Sequence, residues 1–513
     1  MRYRRLRQPL LNKKLDEARS KEAPKSLSPA QLTVGDAISY LKQSFSTTDD
    51  LIIKNIKLGT KLGVVVYLET TVDKDKVQKY VLTPMLQADR ETLSDVLISE
   101  CQISVDFHES IQALISGSCL IFFDGDSHVY FADVSLHKDR DVTEPVNEQV
   151  VLGAHEGFVE NLYTNLNLLR KKIKSPDLSL QYFSIGHKTK TKVAIVYLNG
   201  VADDEVLQEI RRRMEGIHTD ALTTAGYLEE FIEDSSLSIF PQTLSTERTD
   251  RVVANLNEGR VALLMDGSPV CLLLPVTFFA FYQSPDDYNT RWMPGTFIRA
   301  LRLMSFTLSI VLPSFYIAVV AFHFEVLPDE LVMPVKNSIH NIPFPPLVEA
   351  LIMELTIELI REAGIRLPLR IGQTIGIVGG LVIGDAIVRA GLISNVMIVV
   401  VALTAIASFV VPNHEMSATV RLLRFPFMFL AATFGFVGIV FGFMTVIAHL
   451  CKLESFGKPY FAPLAPLKLK DLKDTFFRLP AWTIKMRPTE LHPKEKRQQW
   501  STRGWIYHDR QQK

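Results

Sequence analysis

Two stretches decide the fold: IQALISGSCLIFFDGDSHVYFADV, Ile111–Val134, and VVANLNEGRVALLMDGSPVCLLLPV, Val252–Val276. Aligned, they put Gly117 on Gly259 and Asp124-Gly125 on Asp266-Gly267. Asp-Gly between apolar runs is a hairpin signal, because the tight turn needs residues that accept positive φ. Upstream, VVVYLE at Val64–Glu69 matches AIVYLNG at Ala194–Gly200. Short β-branched apolar runs of this kind read as buried strands. Each is followed by a charged, periodic segment that reads as a helix, DKDKVQKYVLTPML in one case and DDEVLQEIRRRMEGI in the other. The chain therefore carries a repeated α/β subdomain, 31–150 and 186–290, after a basic flexible tail at 1–30. A connector at 151–185 opens as a turn at Gly153 and continues as an amphipathic helix.

Beyond residue 290 the composition changes. Residues 291–450 read as an α-helical membrane region. LMSFTLSIVLPSFYIAVVAF, 303–322, holds no charge and matches the roughly 20 residues that cross a hydrocarbon core. Arg299 and Arg302 flank its start, which marks a cytoplasmic entry. Pro313 should kink it, which a membrane helix tolerates when a neighbour satisfies the freed carbonyl. Further spans are expected at 371–390, 392–411 and 425–450.

The span at 371–390 contains GQTIGIVGGLVIGDAIV, in which Gly372, Gly376, Gly380 and Gly384 recur every four residues and share a helix face. Small residues at this spacing let two membrane helices approach closely. Gly438 and Gly442 repeat the device in the last span. A phosphate loop needs a Lys-Ser/Thr pair after its glycines, and none follows. Asp385 is expensive at membrane depth unless it meets water or a partner charge. Either it pairs with Arg389, one turn on, or it lines a wet cavity with Gln373 and Thr374.

PFPPLVEALIMELTIELIREAGIRLP supplies an amphipathic helix at 345–363. Glu354, Glu358 and Glu362 fall on one face, with Leu347, Leu351, Leu355 and Leu359 as a parallel stripe. Such a helix lies at the interface with its acidic face in water, re-enters the membrane, or lines an aqueous path that attracts cations. Four full spans keep both basic termini in the cytoplasm; a spanning acidic helix makes five.

The formal net charge is zero, and residues 451–513 form a basic cytoplasmic tail with 14 Lys/Arg against 6 Asp/Glu. Cys101, Cys119, Cys271 and Cys451 are too dispersed for a metal or redox pair. His155 and Glu156 lack a second ligand pair, so no metal site is expected. There is no nucleophile elbow, Cys/His set or zincin motif, so an enzyme is the weakest reading. Neither a cofactor nor a nucleic-acid partner is expected.

Taken together, HEGFVENLYTNLNLLRKKI, STERTD, LLMDGSP, FIRALRLMSFTLSIVLPSFYIAVVAFHFEVLP and the two membrane motifs above resemble the A subunit of GerA-type spore germinant receptors. The resemblance spans almost the whole chain. It implies a multi-pass protein of the inner membrane of a bacterial endospore, working with a transporter-like B subunit that senses nutrient and a lipoprotein C subunit. It further implies a homo-oligomeric, nutrient-gated channel for monovalent cations, with a non-conducting scaffold or a transporter component as the alternatives. Leu152 and Ala154 stand where the family tends to have arginine and proline, Thr249 where it tends to have proline, and Asp385 where it usually has glutamine.

Overall fold

In the computed structural model the described residues are 33–499, apart from 46–47, 59–60, 88–100, 105–106, 127, 137–144, 146–147, 149, 151, 341, 368–383 and 470. The first α/β unit comprises α1 (Val34–Ser44), β1 (Leu51–Leu58), β2 (Lys61–Leu68), α2, β3 (Cys101–Ser104), α3 (Phe107–Ser116), β4 (Ser118–Phe123) and β5 (Val129–Asp133). Helix α2 is α-helical over Lys74–Lys76, π-wound over Val77–Leu82 and α-helical again over Thr83–Gln87. The second unit comprises β6 (Leu178–Ile185), β7 (Thr191–Leu198), α5 (Asp204–Glu215), α6 (Ala225–Ile232), β8 (Leu244–Thr246), α7 (Thr249–Glu258), β9 (Val261–Met265) and β10 (Cys271–Leu274). Connector helix α4 (Leu162–Lys172) joins them.

The two sheets have the same five-stranded order, β1-β2-β4-β5-β3 and β6-β7-β9-β10-β8. Their central registers also correspond. Gly63 opposes Phe123 and Val66 opposes Leu120, as Val193 opposes Met265 and Val196 opposes Ala262. The repeat read from the sequence is thus a repeat of topology and register. Continuous apolar runs arise because the central strands are covered on both faces. Val65, Tyr67, Cys119 and Ile121 enter one core of the first sheet, while Val64, Val66, Leu68 and Leu120 enter the other. Asp73 and Asp203 cap the equivalent helices α2 and α5 by accepting from backbone N–H groups. Gly117 and Gly259 both take positive φ, +97° and +107°, at the turn from helix to strand.

The helices that follow are α8 (Pro285–Asn289), α9 (Trp292–Ala321), α10 (Asp329–His340), α11 (Pro346–Arg366), α12 (Gly384–Arg389), α13 (Asn395–Phe409), α14 (His414–Phe434) and α15 (Phe436–Lys452). Side-chain contacts fix their directions. The end nearest the sheets holds Arg302, bonded to the Tyr282 carbonyl and Asp287, and Glu415 and His449, bonded to Ser245 and Ser238. The far end holds Tyr316, bonded to Ser394, and His323, whose ring stacks on Phe436 at 4.8 Å. So α9 and α14 run away from the sheets, while α13 and α15 return. Helix α11 also returns, from Glu349 beside Ser394 to Arg361 beside Ser408.

Two sequence expectations change here. The apolar run 425–450 is not one helix: α14 ends at Phe434 and the chain reverses at Gly435, which has φ +60°. Hydropathy cannot register such a reversal, since both arms are equally apolar. A Cβ on Gly435 would lie 2.9 Å from the His323 ring, and one on Gly442 2.9 Å from the Phe427 ring. The hairpin therefore closes on glycines within one subunit. The second concerns α11, whose first half is buried in the bundle through Glu349, Ala350, Met353 and Glu354, so that its acidic face is solvated only toward Glu362.

The segment after α15 folds back over the second sheet unit. Lys458 and Lys494 reach Asp203 and Asp204 at the N-terminus of α5, at 2.6 and 2.7 Å. Arg487 donates to the Asn257 carbonyl near the C-terminus of α7, and Arg478 to the Tyr288 and Thr290 carbonyls. These four basic residues are donors to acidic caps and to helix-end carbonyls, where cations are favoured.

Candidate functional site

The interior of the bundle carries the chemistry. Pro313 sits inside α9 and has no N–H, so the Ser309 carbonyl four residues earlier loses its intrahelical donor. The Nε of Arg424 on α14 donates to that oxygen at 3.0 Å. The same guanidinium pairs through Nη1 with Glu354 of α11. Three helices thus meet at one buried point, with Glu354 0% and Arg424 1% exposed. Glu354 Oε1 and Arg424 Nη2 are left without a hydrogen-bond partner.

Nearer the sheets, Glu358 takes both Arg361 at 3.2 Å and Arg421 at 3.4 Å. Arg361 also donates to Ser408, and Arg421 to Ser417. Toward the far end, Glu349 accepts from the Ser394 backbone at 2.9 Å, leaving its Oε1 unpartnered, and Ser314 Oγ is unpartnered too. A polar seam therefore runs down the inside of the bundle. Outside it, Leu355, Leu359, Ile406, Phe409, Phe441 and Met444 are all exposed. Exposed apolar side chains thus surround buried ionic groups, and large apolar patches of this kind mark interaction or membrane surfaces.

Glu354, Glu358 and Glu362 share a helix face but not an environment. Glu354 is buried, Glu358 half-buried, and Glu362 exposed and paired with Arg366 at 2.6 Å. The acidic face begins inside the bundle, while Leu355 and Leu359 point outward. Gly438 faces α14, where an added Cβ would collide with the Leu430 carbonyl oxygen. Gly372, Gln373, Thr374, Gly376 and Gly380 lie outside the described residues. Gly384 and Asp385 open α12, and the Asp385 side chain is outside the description. No group of His, Cys, Asp and Glu among the described residues is arranged to hold a metal. Cys119, Cys271 and Cys451 form no disulfide.

Sequence reasoning missed the arginines. Arg421 and Arg424, three apart in ATVRLLRFPF, pass for a basic flank before an apolar run, yet both face inward. Arg299 and Arg302 also look like flanking charges. They clamp the buried Asp287 at 3.2 and 2.7 Å and tie α9 to α8, and Arg299 reaches Asp474 of the tail at 3.0 Å.

Where the sheets meet the bundle, the carboxyl of Glu229 on α6 is pushed up to about 8, first by burial and then by the Glu415 carboxylate, against the hydroxyl that Thr243 donates. Glu233 is raised to about 7, again chiefly by burial.

The Bacillus/Clostridium GerA spore germination protein family model matches residues 39–490. The chain belongs to this family. It is 40% identical over 448 residues to the "Uncharacterized membrane protein YfkQ" of Bacillus subtilis (strain 168), covering 86% of this chain and 87% of that one. It is 40% identical over 468 residues to spore germination protein A1 of the same organism, covering 90% and 96%. With spore germination protein KA, also of that organism, it shares 37% over 488 residues, covering 93% and 89%. The crystal structure of the N-terminal domain of the A subunit of the Bacillus megaterium spore germinant receptor GerK3 matches at 27% identity and TM-score 0.37, covering 50% of this chain and 99% of that domain. These GerA-family relatives are named as spore germination proteins, and YfkQ as a membrane protein.

Proposed function

We propose that this GerA-family chain is the A-type subunit of a nutrient germinant receptor in the inner membrane of a bacterial endospore. In this reading it has a signalling and conducting role and no enzymatic one. The observation that carries it is the inverted bundle, apolar outside and ionic within, joined to a folded α/β region. The 30-residue α9 has mean hydropathy 2.0 over its most apolar window. Its length of about 45 Å exceeds the hydrocarbon core of about 30 Å.

Parity supports a multi-pass topology. The chain before α9 and the chain after α15 pack together through Tyr288–Asp474 and Lys458–Asp203, so both lie on one side. The number of crossings is then even. Helices α11 and α13 run in the same direction, which is consistent with the further span at 371–390 expected from the sequence. This favours full crossing by α11 and a hairpin of two crossings in α14 and α15.

In this reading copies of the subunit assemble around an axis, with Gly372, Gly376, Gly380 and Gly384 packing neighbouring helices. Gln373, Thr374, Asp385, Glu354, Glu358 and Glu362 line or gate a path for monovalent cations. A transporter-like B subunit senses the nutrient and a lipoprotein C subunit completes the complex. Reconstituted into liposomes with its partners, the receptor should pass K⁺ or Na⁺ on addition of nutrient. Asp385→Leu and Gly380→Leu should alter that flux; no change in either variant would sink the pore assignment. A second reading, a non-conducting subunit that couples its partners mechanically, draws support from the tail that straps the sheets to the bundle. Triggered cation release with no flux through this subunit would favour it.

A further inference from the structure

We propose that the Glu354 carboxylate and the Ser309 carbonyl form an interior site for one monovalent cation, a site that Arg424 fills as a tethered occupant. Helix α9 supplies a carbonyl oxygen released by Pro313 and α11 supplies a carboxylate. Oxygen ligands of this kind suit hard cations. The guanidinium of Arg424 reaches both oxygens from α14 but does not saturate them, because Glu354 Oε1 remains unpartnered within the bundle.

Charge selects the class of ion. One carboxylate and one neutral carbonyl balance a single positive charge. A divalent ion would be left with an uncompensated positive charge inside the bundle. The other charged groups facing the site are Glu358 and Arg361 on α11 and Arg421 on α14. Arg361 and Arg421 are both engaged by Glu358, and further by Ser408 and Ser417. Helix α13 carries no charged side chain, and the arginines of α9, Arg299 and Arg302, are held by Asp287 and Asp474. Arg424 is therefore the cation that Glu354 depends on. When Arg424 withdraws, the carboxylate stays buried and takes an ion from solution in its place. The inference rests on the conducting reading for its consequence, passage of the ion; the site itself is tested by binding.

The test uses the full chain purified in detergent, melted in KCl and in choline chloride at equal ionic strength. Arg424→Gln should melt several degrees higher in KCl. Wild type and the double variant Glu354→Gln/Arg424→Gln should show no difference between the salts. Arg424→His should show the KCl effect at about pH 8, where imidazole is neutral, and lose it at about pH 5.5, where it is charged. Absence of the KCl effect in Arg424→Gln and in Arg424→His at both pH values overturns the site, as does an equal effect in the double variant. Failure of both single variants to fold also overturns it, since the pair is then only a structural clamp. K⁺ flux in liposomes is read separately. Binding without flux leaves the site standing and removes the conducting reading; flux without binding does the reverse.

Discussion

Arg170 and Arg424 are both buried arginines facing a buried carboxylate, one beside the sheets and one among the helices. Arg170 of α4 meets Asp50, at the entrance to β1, through Nε and Nη2 at 3.0–3.3 Å. Thr48 and Thr70 donate to the same carboxylate, and Arg170 Nη1 reaches the Ser175 carbonyl at 3.5 Å. That pair has no unpartnered polar atom. Arg424 and Glu354 keep one unpartnered atom each. The difference teaches what each pair is for. A saturated pair welds two units together, here the first α/β unit to the connector. An unsaturated pair inside an apolar shell retains the capacity to exchange partners, which is a poor way to build stability.

The comparison breaks most visibly at Arg170. Arg170→Met should leave Asp50 buried without its cation and cost about 3–5 kcal/mol, read as a lower melting temperature of the full chain. A loss no larger than that of a surface substitution would remove the weld. Gly438→Ala probes the bundle by size instead of charge. Its Cβ has no room against the Leu430 carbonyl, so α14 and α15 must separate, at about 1–3 kcal/mol. Pro313→Ala sharpens the comparison in the opposite direction. It restores an N–H to the Ser309 carbonyl and should stabilise α9 by about 1 kcal/mol while loosening Arg424. An unchanged melting temperature would mean that the carbonyl was never short of a donor.

At the junction the probe is pH. Below pH 4.5, Glu229 holds its proton in both the folded and the unfolded chain. Between 4.5 and about 8 the folded chain alone holds it, so stability falls as pH rises through that window and levels off above it. Thermal melts from pH 5 to 9 should show this decline, and Glu229→Gln should flatten it. A rising profile in wild type would contradict the burial of that carboxyl.

The two regions were unequally legible in the sequence. The α/β repeat could be read because Gly117/Gly259 and the two Asp-Gly turns are local signals that the backbone itself requires. The proline in α9 also announced that the Ser309 carbonyl needed a donor. What could not be read was which donor, because helical periodicity assigns Arg424 to a face of α14 without saying what lies opposite. The acidic stripe of α11 was ambiguous for a related reason. A period of 3.6 residues separates the glutamates from the leucines but does not say which solvent surrounds the helix. The reversal at Gly435 was hidden because a glycine among apolar residues serves equally well in a packed helix and in a turn.

The central claim is that the bundle is built outward to lipid and inward to polar groups. Spin labels on single cysteines at Leu359, Ile406, Phe441 and Met444 of the reconstituted protein test it most directly, by comparing collision with oxygen against collision with a water-soluble nickel chelate. The account predicts high oxygen and low chelate accessibility at all four positions. High chelate accessibility at these positions, with oxygen excluded, would contradict it.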